Sequence, residues 1–249
     1  MTKSDTHPVE LARQMISSCQ YDLALQIIQA AMESRSDSKV LWETQAMAYY
    51  ALRDFDAARS SMEAATVLGP LSAEAQYVLA DCYDRLAFPL AAACIYEHLG
   101  AHVELVPAAL LPGLAAKLGA LKKFHLALQA CRRASELHPE CEQAAYGVAY
   151  YMGKAGYPPQ RVVPILRRVV DLAPDIRKYR WALAQACHQA GDGAAAYDLM
   201  ATTNISDIAD MCCQDCIRRL WKIFEQAGDY RRCDWCRARL QALTDSRQR

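Results

Sequence analysis

The chain of 249 residues is short of helix-breaking residues: it has ten glycines and ten prolines, against 53% hydrophobic residues rich in alanine and leucine. That shortage favours helix over strand, and the apolar content is enough to bury a core. No apolar run reaches the roughly 18 residues of a membrane span. The best stretch, Leu105 to Leu121, is broken by Pro107, Pro112 and Lys117. The N-terminal stretch MTKSDTHPVELARQ lacks the apolar centre of a signal peptide. The expectation is a protein of a reducing, cytoplasmic compartment with no membrane insertion. HExxH, P-loop and strand-following GxGxxG motifs are all missing. His125, His138 and His188 stand apart in sequence from any plausible cysteine or serine partner, so no enzyme activity and no cofactor is expected.

Net charge is also missing, with 28 basic and 28 acidic residues, but the balance hides a gradient. Residues 1–119 carry 8 Lys/Arg and 14 Asp/Glu, and residues 120–249 carry 20 and 14. Solvated helix faces explain this, or a polarised molecule that orients its partner. The eleven cysteines are odd in number and scattered among alanines, which argues for small apolar residues rather than a disulfide framework.

What is present is a repeat. Small residues recur at Ala12, Ala46, Ala80, Ala115, Ala149 and Ala184, with Trp221 closing the series, at steps of 34, 34, 35, 34, 35 and 37. A second column holds Ala24, Ala58, Ala92, Ala127, Val162, Ala196 and Cys233. A third marks the start of a second helix in each unit: Tyr21, Phe55, Pro89, Phe124, Pro159, Gly193 and Tyr230. Within a unit, apolar residues fall three and four apart, as at Ala58, Met62 and Ala65, which is the period of an amphipathic helix. Each unit is therefore expected to be a helical hairpin, its two small-residue columns facing one another so that the helices pack closely.

Trp42, Ala46, Tyr49, Phe55, Ala58, Ala65 and Pro70 together resemble the signature of the tetratricopeptide repeat. The resemblance implies an all-α, right-handed superhelical solenoid of about seven helix-turn-helix repeats. They would lie at about 5–38, 39–72, 73–107, 108–141, 142–176, 177–210 and 211–243, as one continuous array over 5–243. Residues 1–4 and 244–249 would be frayed tails. Bulky Trp221, standing where alanine belongs, would splay the last hairpin or make it a cap. Arg231, Arg232, Asp234, Arg237 and Arg239 would form its polar outer face.

The resemblance also implies a concave groove lined by the first helices of the units. The residues expected there are Tyr50, Tyr77, Asp81, Asp84, Tyr146, Tyr150, Trp181, Gln185 and His188. Pro112, Gly113, Ala116, Gly119, Gly147 and Gly153 would leave an apolar recess beside the tyrosines, or serve only close helix packing. The groove would run from acidic (Glu74, Asp81, Asp84) to basic (Lys178, Arg218, Arg219, Lys222). The lone asparagine, Asn204, lies outside it, which argues against the clamp for chaperone C-termini found in some family members.

Cys213, Cys216, Cys233 and Cys236 have the spacing of a four-thiolate zinc site. If Trp221 lies level with Cys233, however, Cys213 is about 12 Å along the axis from Cys233. Zinc needs all four sulfurs within roughly 4 Å of one another. Only Cys216 and Cys236 could approach, so no metal is expected.

The function expected is a non-enzymatic scaffold that binds an extended or helical segment of a partner protein. A narrower version resembles chaperone-like proteins of bacterial secretion or assembly systems, holding hydrophobic client segments. An RNA-binding helical repeat is a rival, but it needs a basic groove to meet phosphates, so no nucleic-acid partner is expected. Homo-oligomerisation, acidic end to basic end, is another.

Overall fold

Two alanine columns and a recurring turn set the architecture. The computed structural model describes residues 6–34 and 37–245. Among them are fifteen α-helices, two short 3-10 turns and no strand. The expected tails at 1–4 and 246–249 lie outside the described residues, while Thr244 and Asp245 complete the last helix.

The chain divides into two compact units, 1–134 and 135–249, with the division inside one helix. The first unit contains α1 (Thr6–Ser17), α2 (Tyr21–Ser34), α3 (Lys39–Ala51), α4 (Phe55–Leu68), α5 (Ala73–Arg85), α6 (Pro89–Ala101), α7 (Leu111–Ala120) and most of α8 (Phe124–Leu137). The second contains α9 (Glu142–Lys154), α10 (Pro159–Leu172), α11 (Arg177–Gln189), α12 (Gly193–Met200), α13 (Ile205–Ala209), α14 (Gln214–Gln226) and α15 (Tyr230–Asp245).

Every residue of the third column opens a helix, from Tyr21 at α2 to Tyr230 at α15. The alanines of the first column are at most 2% exposed, and the second column is buried throughout, up to 7% at Val162. Removing a side chain's bulk at these points lets paired helices approach, which is why the columns read through in sequence. Trp221 is only half-buried, yet its carbonyl lies 4.0 Å from Cys233 Sγ, so the expected level of the last hairpin holds.

The turns share one chemistry. Ahead of each second helix a residue adopts positive φ: Cys19 (59°), Arg53 (65°), Ala87 (62°) and Lys122 (58°), then Gly156, Gly191 and Gly228. At Ala87 its N–H reaches Asp84 O, and the next N–H, of Phe88, reaches Tyr83 O at 2.8 Å. The same pair of bonds recurs at all seven turns and satisfies the last carbonyls of the first helix. Asp54, Asp192 and Asp229 then cap the second helix by accepting the N–H three residues on, at 3.1, 3.0 and 3.1 Å.

Two expectations are corrected. The second helix of the sixth hairpin stops at Met200, and Asn204 opens α13 with a capping box to Asp207. Of the five C-terminal polar residues expected to face outward, Arg232 bonds the carbonyls of Ala201 and Thr203, and Arg239 bonds that of Met211 at 2.8 Å. Half-buried, these two hold the interrupted segment, while Arg231, Asp234 and Arg237 are exposed as expected. Among the described residues, no helix is long and apolar enough to cross a membrane.

Candidate binding recess

The first helices of the two units present different surfaces. In the first unit the expected groove residues bind one another. Asp81 is 3% exposed. It accepts from Tyr50 Oη at 2.7 Å, Arg85 Nε at 2.6 Å and Lys117 Nζ at 2.7 Å. Lys117 also reaches Asp84 Oδ2 at 2.7 Å, so one cation from α7 bridges Asp81 and Asp84 of α5. Burial alone would raise the Asp81 pKa. The bonds from Lys117, Arg85 and Tyr50 override it and hold the carboxyl at about 2. Burial, then the bond to Asp81, pushes Tyr50 up to about 12. Tyr77 packs edge-on against Tyr96 at 5.8 Å, and a Cβ at Gly113 would lie 2.5 Å from the Tyr77 hydroxyl. The space that Gly113 leaves is therefore filled by Tyr77. Two of the three acids of the expected acidic end, Asp81 and Asp84, are thus paired internally.

The second unit keeps an open recess. It has a volume of about 370 Å³ and is lined by residues of α9, α10, α11 and α14, among them Tyr146, Tyr150, Gly153, Gln185 and Arg219. A smaller recess of about 160 Å³ adjoins it, sharing Tyr146, Ala182, Gln185, Cys216 and Arg219 and adding Trp181 and Lys178. A Cβ at Gly153 would meet nothing within 4 Å, so this glycine opens space that no other side chain takes. Tyr146 stacks at 4.9 Å on Tyr179, a wholly buried ring that fixes its position.

The rim is cationic. Lys154 Nζ lies 5.6 Å from the Tyr150 ring, and Lys178 Nζ lies 5.8 Å from Tyr146 and 4.9 Å from Tyr179. No acidic residue lines either recess. Among the described residues, Lys154, Lys178 and Arg219 have no carboxylate within ion-pair distance. Such an arrangement seats an apolar or aromatic side chain and attracts negative charge beside it.

Of the nine expected groove residues, the structure brings Tyr146, Tyr150, Trp181 and Gln185 together here. Tyr50, Tyr77, Asp81 and Asp84 belong to the first unit, and His188 is half-buried in α11 without lining either recess. Sequence reasoning missed Lys154 as a lining residue and Lys117 as the partner of both acids. Lys154 follows Gly153 at the end of a tyrosine-rich helix, a signal that could have found it.

The four spaced cysteines fall into two environments. Cys233 and Cys236 are buried, at 3% and 0% exposure, and burial pushes the Cys236 thiol up to about 12. Cys213 and Cys216 are exposed at the start of α14. Among the described residues, no group of three or more His, Cys, Asp or Glu side chains could hold a metal ion.

Residues 43–99 match the tetratricopeptide repeat family. No curated protein sequence matches the chain. Several solved structures share its fold. The C-terminal part of a TPR repeat-containing protein of Cytophaga hutchinsonii aligns with a TM-score of 0.60 at 13% identity, over 94% of this chain and 95% of that one. PilF of Pseudomonas aeruginosa aligns with a TM-score of 0.56 at 17% identity, over 84% and 93%. A tetratricopeptide repeat protein of Parabacteroides merdae aligns with a TM-score of 0.53 at 14% identity, over 97% and 94%. At these identities the likeness is one of fold.

Proposed function

From the premise that the chain is a tetratricopeptide repeat protein, we propose that it is a non-enzymatic interaction module whose second unit seats a segment of a partner protein. Proteins of this family generally bind other proteins. The observation that carries the finer reading is the open recess of about 370 Å³ between Tyr146, Tyr150 and Gly153, with unpaired cations on its rim. The segment it fits has an apolar or aromatic anchor flanked by aspartate or glutamate. The anchor supplies most of the affinity by leaving water, and the charges supply orientation and on-rate.

The test is selection of binding peptides from a random library displayed on phage, followed by titration of the winners. The reading expects acidic peptides with one bulky apolar residue. Tyr150→Ala with Trp181→Ala should weaken them at least about thirtyfold, corresponding to loss of an anchor contact worth about 2 kcal/mol. Basic winners, or winners indifferent to the double substitution, would contradict it.

A further inference from the structure

The start of α14 carries thiol chemistry at the edge of the recess, which Cys216 helps to line. Cys213 is its N-cap, with φ −87° and ψ 106°, and its Sγ accepts the backbone N–H of Cys216 at 3.4 Å. Both side chains are exposed. Three residues along one helical turn, their Cα atoms are roughly 5 Å apart by helix geometry. Disulfides commonly span about 4.4–6.8 Å. The second Cys-x-x-Cys makes the contrast: Cys233 and Cys236 sit inside α15 with both side chains buried. One pair is placed to react and its twin is sequestered.

We propose that Cys213 and Cys216 form a reversible dithiol–disulfide site that exchanges with low-molecular-weight disulfides of the glutathione class. Cys213, as thiolate, attacks one sulfur of the small disulfide. A mixed disulfide forms and one thiolate leaves. Cys216 then gives up its proton to solvent and its sulfur attacks Cys213, expelling the second thiolate. Two protein thiols are oxidised, one small disulfide is reduced to two thiols, and reduction runs the same steps backwards.

The roles follow from the surroundings. The neighbouring Cys216 thiol, then the Cys216 N–H at 3.4 Å, lowers the Cys213 pKa. Stabilisation of a thiolate at a helix N-terminus in a Cys-x-x-Cys motif is the general pattern. Asp215 opposes it, but its carboxylate is engaged by Arg218 at 2.9 Å. Partial desolvation, then the neighbouring Cys213 sulfur, raises the Cys216 pKa, with Arg219 acting the other way. Cys213 is therefore the attacking thiol and Cys216 the resolving one.

The full chain, equilibrated across glutathione buffers from reducing to oxidising and then acid-quenched and alkylated, tests this by peptide mass mapping. The expected product is a Cys213–Cys216 disulfide appearing in one two-electron transition. At neutral pH, iodoacetamide should label Cys213 several-fold faster than Cys19, Cys94 or Cys212. Cys216→Ser should trap glutathione on Cys213, and Cys213→Ser should leave Cys216 largely unmodified. Cys212→Ser, which leaves both residues in place, should keep the disulfide. The proposal is overturned by the lack of this linkage at every ratio, by a linkage through Cys212 instead, by persistent glutathione on the wild-type pair, or by Cys213 labelling no faster than the other exposed thiols.

Discussion

A buried carboxylate is the residue that decides what the first unit can do. Asp81 is held by the hydroxyls of Tyr50 and, at 3.5 Å, Tyr96 and by two cations, and losing those bonds would leave its charge desolvated. Asp81→Asn is expected to cost about 2–4 kcal/mol at neutral pH, read from urea unfolding. The pH dependence has a definite sign. The folded pKa, about 2, lies below the ordinary carboxylate value. The stabilisation is therefore fully present above about pH 4 and is lost as the pH falls towards 2, an effect on the order of 2 kcal/mol. The wild type should lose that much more than Asp81→Asn over this window, and parallel losses would contradict the assignment. Two glycines make a second residue-scale pair. Gly113→Ala should destabilise, because the Tyr77 hydroxyl must move, whereas Gly153→Ala should stabilise α9 by up to about 1 kcal/mol, because its Cβ enters open space. Thermal melts of both variants check this, and a shift of the same sign in both would contradict it. The Asp81–Arg85 part of the network was readable as an i,i+4 pair. Lys117 was not, because its approach depends on how α7 packs on α5, which no local pattern reports.

At the scale of the element, the hairpin is the unit of both sequence and structure. Its columns were legible because a small residue at a helix contact and a residue that starts a helix are each fixed by close packing or capping. Seven second helices begin where the third column places them. The turn was less legible: only the last three turns carry glycine at the left-handed position, while Cys19, Arg53, Ala87 and Lys122 bear the strain of a side chain there. Ala87→Gly is expected to raise stability by about 0.5–1 kcal/mol in a thermal or urea melt, since φ is 62° and the turn bonds are unchanged. A fall in stability would show that the cost lies elsewhere. The break in the sixth hairpin was hidden for a different reason. Asn204 and Asp207 form a helix start that competes with the repeat's own period, and Arg232 and Arg177 reach in to hold it.

At the scale of the molecule, the two units use the same repeat to opposite ends. The first ties the expected groove residues Tyr50, Asp81 and Asp84 to one another and to Lys117. The second leaves a tyrosine-lined recess under three cations that lack carboxylate partners among the described residues. The tyrosines, Trp181 and Gln185 were legible from their columns. That Asp81 and Asp84 are already paired was not, and it takes these two carboxylates out of the acidic end drawn from the sequence. The charge on the second unit's rim predicts a salt response: affinity for an acidic peptide should fall several-fold between 50 and 500 mM salt, because exposed charges are screened. Titration at both salt concentrations checks this, and a salt-independent affinity would contradict the role given to Lys154, Lys178 and Arg219. The most direct measurement is backbone hydrogen–deuterium exchange with and without a selected peptide. Slowed exchange confined to α9, α11 and α14 is the predicted result, and protection on α3, α5 and α7 instead would contradict the account.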